Sequence, residues 1–321
     1  MRSARLLAAT LAATLAAPAA AYVRSADPDT GAELHWATPL VPFHVSDVPL
    51  LAAPGCAASA AGDPVLAAVE ASFSEWRQGC ANLELVFAGR IPEIRTGAGG
   101  TRENLVTFRR GWCSQHPDAS THPCMADDAV DCGGIFGCFE DQSPGDKLIV
   151  ALTTVLYDPD SGRIMDADIE VNGWDGTGTG TSVSGGPSGP PRGWYFTCDK
   201  QASWGACTSY DQADCYYIDL QATVTHEAGH FVGLAHPCEG AACSSQPQLR
   251  PLTMYPDTAP GDVEKRSLAP DDVAGVCDIY PAEGGGSGCG SGGAGALSLL
   301  AVAAALRAVR RGRRQATSSP A

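Results

Sequence analysis

Apolar residues recur along this chain at two spacings, and each spacing predicts a different element. Leu66, Val69, Phe73 and Trp76 fall three or four apart, the period of a helix with one buried stripe. Asp63 suits the N-cap of that helix and Pro64 its first position. The carboxylate accepts an orphan backbone N–H there, and proline has none to lose. Residues 41–45 predict a first strand, after Trp36. Residues 83–87 alternate apolar and polar side chains, as a half-buried strand does. Residues 104–108, 148–153 and 164–171 predict further strands. A helix is expected over residues 219–232, and a last one from Pro270, with Val273, Val276 and Cys277 on one side. Strands first, a helix among them and two helices at the end predict an α+β domain.

Two segments break these periods. Residues 111–146 hold four cysteines, many Asp and few large aliphatics, and read as a stapled loop. Residues 172–216 are rich in Gly, Ser and Thr, with three cysteines, and read as an insertion. Within it, Gly186-Pro187-Ser188-Gly189-Pro190 lacks the last glycine of a nucleophile elbow and no strand leads into it, so it reads as loop.

The two ends follow other rules. Residues 1–21 carry Arg2 and Arg5, an apolar run from Leu6 to Leu15, and Ala19-Ala20-Ala21 before Tyr22. That is the layout of a secretory signal peptide. Residues 22–282 form the domain, and residues 283–295 form a Gly/Ser linker containing Cys289. Residues 296–321 begin with an apolar segment and continue with Arg307, Arg310, Arg311, Arg313 and Arg314. The apolar segment is shorter than the roughly 20 residues that span a bilayer, which suits a sorting signal better than a permanent anchor.

Charge and cysteines narrow the partners and the compartment. The chain carries 36 acidic and 21 basic residues, a net charge of −15. Seven of the basic residues lie in the signal and the tail, and no acidic ones do, so the domain is more negative still. Such a surface excludes nucleic acid and an anionic membrane as partners. Twelve of the thirteen cysteines precede the linker. An even number behind a signal peptide reads as disulfides in an oxidising compartment. Cys238 and Cys243 are placed to clamp the loop that follows His236.

The chemistry concentrates in His226-Glu227-Ala228-Gly229-His230-Phe231-Val232-Gly233-Leu234-Ala235-His236. On a helix, His226 and His230 stack on one face, so both imidazoles can meet one metal ion. Gly233 can take the left-handed conformation that ends the helix and returns His236 as a third ligand. Three His with one open position describe a catalytic zinc site, with Glu227 as the base that activates water. A second candidate is Asp166-Ala167-Asp168-Ile169-Glu170-Val171. Asp168 and Glu170 share one strand face, which reads either as a calcium site or as a solvated face.

The extended histidine motif, followed by Thr253-Met254-Tyr255-Pro256, resembles the metzincin zinc metalloproteases, and the Met-Tyr-Pro wording resembles the matrixin branch. The resemblance implies a mixed, twisted sheet above a cleft, with Met254 as an apolar floor under the zinc. It implies hydrolysis of protein or peptide substrates, with residues 256–259 walling the pocket for the side chain after the cleaved bond. In animal matrixins a His of a second, structural zinc site stands where this chain has Asp168, so that site is in doubt. The Cys-bearing pro-segment that keeps many matrixins latent has no match before residue 40. The tail resembles myxobacterial surface-sorting tails, which implies a secreted protein attached to the cell surface, and a monomer is expected. The competing reading is a non-catalytic surface-binding module that keeps the fold. Intact Glu227 counts against it.

Overall fold

The Asp63 and Pro64 signal is honoured first. Helix α1 spans Pro64–Glu75, and the Asp63 carboxylate accepts the Leu66 backbone N–H at 3.1 Å. Val69, Phe73 and Trp76 are fully buried and Leu66 packs beside them. A computed structural model describes residues 22–282 apart from 49, 51–55, 57, 61, 93–102, 111–112, 117, 127–131, 140–148, 174–181, 184–191, 199–215 and 259–260. The expected signal peptide, linker and tail lie outside the described residues, as does the Gly186–Pro190 loop.

The strands are β1 (Val23–Arg24), β2 (His35–Trp36), β3 (Leu40–Ser46), β4 (Glu84–Ile91), β5 (Leu105–Arg110), β6 (Ala151–Tyr157), β7 (Arg163–Gly173), β8 (Ser182–Val183), β9 (Arg192–Thr197), β10 (Tyr216–Asp219) and β11 (Leu234–Ala235). The further helices are α2 (Cys132–Phe136), α3 (Leu220–Phe231), α4 (Ala241–Ser244) and α5 (Pro270–Ile279). One sheet runs β2-β7-β5-β3-β4, all parallel, and β6 joins β7 antiparallel. A mostly parallel sheet with few helices fits the expected α+β class. The β6–β7 turn contains Gly162 at φ +71°. A side chain there would also strike the Glu33 carbonyl, 2.1 Å from an ideal Cβ.

Helices α1 and α3 cover one face of the sheet through an aromatic chain. Phe43 on β3 stacks on Phe73 of α1 at 3.8 Å, and Phe73 meets Phe231 of α3 edge-on at 5.2 Å. Trp36 closes the series against Phe231 at 5.3 Å. This fixes α3 relative to the sheet by large, stiff side chains.

Ten cysteines pair among the described residues: Cys56–Cys198, Cys80–Cys277, Cys113–Cys138, Cys124–Cys132 and Cys238–Cys243. The segment expected as a stapled loop is short 3₁₀ turns and α2, held by two of these bridges. The segment from 172 to 216 holds more than loop: β9 and β10 pair in parallel. No helix among the described residues is long and apolar enough to cross a membrane.

One expectation needs correction. The acidic face of β7 is not solvated, since Asp166 is 1% and Asp168 2% exposed. The strand lies inside the sheet, with β5 and β6 both paired to it.

Candidate metal centre

Helix α3 is built to be buried. Asp219 caps it, accepting the Ala222 N–H at 2.8 Å, and Arg266 grips the same carboxylate at 2.6 Å. Helix α1 holds it from the side: the Trp76 indole donates to the Thr225 carbonyl at 2.9 Å, and the Ser72 hydroxyl to that of Gln221. Carbonyls at and just past its end, which a helix leaves unpaired, find donors from other elements. Trp36 Nε1 donates to Phe231 O, the Tyr280 hydroxyl to Val232 O, and the Ser25 N–H to Gly233 O. Burial pushes the Tyr280 phenol above its usual range, so it keeps its proton.

Gly233 ends the helix at φ +97°, and its ideal Cβ would lie 2.5 Å from the Leu34 carbonyl oxygen. Only glycine combines that backbone with that closeness. The chain then reverses, and β11 pairs antiparallel with β1, holding the turn from which His236 emerges. His236 Nε2 lies 3.0 Å from His226 Nε2 and 3.0 Å from His230 Nε2. Among the described residues this is the group of three that gathers metal-binding atoms.

The other ring nitrogens settle what these three can do. His226 Nδ1 lies 2.7 Å from the Thr253 carbonyl and His230 Nδ1 2.8 Å from that of Leu234. A carbonyl only accepts, so both Nδ1 atoms carry hydrogen and both neutral rings aim a lone pair from Nε2. His236 Nδ1 donates to the Glu239 carboxylate at 2.7 Å, which turns Nε2 toward the other two rings. Burial holds His226 well below the usual imidazole range and His230 down to about 3, and neighbouring imidazoles add to both effects. The three imidazoles bring one ring nitrogen each within 4.8 Å of the others, the span of a single coordination sphere. The donor set, with its oriented outer partners, fits a zinc ion.

Glu227 is 6% exposed. Burial pushes its carboxyl up to about 7, opposed by a hydrogen bond from Thr153. The Thr153 hydroxyl lies 2.7 Å from Oε2. Met254 is buried under the helix: an ideal Cβ on Gly229 would lie 2.1 Å from its sulfur. The turn bearing Met254 is held by Asp272 on α5, which accepts from the Thr253, Met254 and Ala269 N–H groups. Lys265 is 4% exposed and donates to the Tyr255 and Asp257 carbonyls at 2.6 and 2.7 Å, bracing the segment after the turn. Burial pushes its ammonium down to about 8.

Asp168 and Glu170 are not gathered into any such group. Asp168 accepts the Leu105 N–H at 2.7 Å, and Glu170 pairs with the buried Arg109 at 2.5 Å. The parts played by Thr153, Glu239, Thr253 and Asp272 were not visible in the sequence. Glu239 had one available signal: it stands three residues after His236, between Cys238 and Cys243.

No family model matches the chain. Over 63 residues, 20% of its length, it is 40% identical to metalloendoproteinase 1-MMP of Arabidopsis thaliana, and the match spans 14% of that protein. The chain is therefore related in one short stretch to a metalloendoproteinase, a metalloprotease-like relationship.

Proposed function

We propose that this chain is a secreted or surface-attached zinc endopeptidase of the metzincin, matrixin-like type. The observation that carries the reading is the meeting of three imidazole Nε2 atoms beside a buried carboxylate. The glycine-interrupted histidine motif, the methionine under α3 and the short similarity to a plant metalloendoproteinase support it. His226, His230 and His236 would hold a zinc ion, which when bound would supply a Lewis acid able to polarise a carbonyl and acidify water.

The chain's own residues move the proton. Glu227 takes it from the attacking water and gives it to the leaving amine. Strand β6 pairs only with β7 among the described residues, so its other edge offers backbone groups beside Glu227. An extended peptide can add there as a strand. Disulfides suit an oxidising compartment, in line with the signal peptide expected at residues 1–21 and the sorting tail at 296–321.

The test compares wild type and Glu227→Ala for bound zinc and for cleavage of a broad peptide library. Zinc is expected in both, with cleavage lowered by about 10²–10⁴-fold in the variant. Equal cleavage by both proteins contradicts the role of Glu227. Zinc-loaded wild type that cleaves nothing favours a surface-binding module.

A further inference from the structure

Thr153 lies on β6 opposite Ile169 and is buried. Its hydroxyl is 2.7 Å from Glu227 Oε2 and 3.0 Å from the Glu227 backbone carbonyl. Among the described residues, no other side chain hydrogen-bonds the Glu227 carboxyl. Glutamate has a flexible stem, and a helix position alone leaves its carboxylate several rotamers. Threonine is stiff at χ1, and β6 is fixed by its long ladder to β7. A rigid donor on the sheet therefore reaches a carboxylate carried on a flexible stem from the helix.

We propose that Thr153 is a positioning residue for Glu227, holding Oε2 against β6 and leaving Oε1 as the oxygen that faces water. The inference rests on the reading of Glu227 as the base. It adds that the sheet, not the helix alone, aims that base. A hydroxyl both donates and accepts, so the same contact persists after Glu227 has taken a proton. Misplacing a catalytic group by about 1 Å can cost on the order of 10²-fold in rate.

The test measures kcat, KM and zinc content for wild type, Thr153→Val, Thr153→Ala and Thr153→Ser, with Glu227→Ala as reference. The Val and Ala variants are expected to lose about tenfold or more in kcat, with KM and zinc unchanged, and Ser to recover most of the loss. Two hydroxyl-free variants differing in volume guard against misfolding of either one. Wild-type kcat in Val or Ala, alongside an inactive Glu227→Ala, overturns this proposal alone. So does a Ser variant that stays as slow as Val. An active Glu227→Ala removes the base assignment and this proposal with it.

Discussion

At the scale of single residues, Gly229 is the position whose necessity is most directly physical. It sits between the two helical histidines, where Met254 Sδ would lie 2.1 Å and Trp76 Cζ2 2.8 Å from an added Cβ. Alanine normally favours a helix interior over glycine by about 1 kcal/mol. Here the methyl group would displace the methionine floor or the helix. Gly229→Ala is therefore expected to destabilise the protein by about 1–3 kcal/mol, the usual range for overpacking, as read from denaturant unfolding. A neutral or stabilised variant would show that Met254 does not press on α3. The three histidines and Glu227 were legible in the sequence because a helical period and one glycine turn place them by local rules. Thr153 was not, because it meets Glu227 across 74 positions of chain.

At the scale of elements, the centre is an assembly of ends. Helix α3 presents His226 and His230, β1 with β11 returns His236, and α5 supports the Met254 turn through Asp272. The Thr253 carbonyl that orients His226 belongs to that turn. Asp272→Ala removes the acceptor of three backbone N–H groups, so the turn loosens and the imidazole loses its fixed partner. Outer partners of metal ligands typically contribute 10–100-fold to affinity. Zinc affinity, measured by competition with a chelator, is expected to fall about tenfold or more in this variant. Unchanged affinity would mean that α5 has no part in the centre. Helix α1 was legible because it carries an Asp cap and a buried stripe, and α3 because its two histidines share one helical face. The pairs β1–β11 and β9–β10 were not. The first are two residues long, and the second adjoin Gly- and Ser-rich sequence with no alternating pattern.

At the scale of the molecule, the expected α+β architecture holds while one of its faces differs. The acids of β7 looked like solvated or calcium-binding groups because alternation tells which side chains share a face, not what covers it. Arg109, from β5, lies against Glu170, a partner that no local pattern announces. Disulfides show the same limit. The Cys238–Cys243 clamp was visible from its short spacing. Cys80–Cys277 joins the loop between α1 and β4 to α5 over 197 positions and needed the fold to reveal it.

The central claim, that three imidazoles of one chain hold a single zinc ion, is tested most directly by zinc K-edge X-ray absorption on the purified protein. One zinc per chain is expected, with three histidine nitrogens at about 2.0–2.1 Å and one oxygen completing the shell. A shell containing sulfur, fewer than three histidine nitrogens, or a protein that takes up no zinc would contradict it.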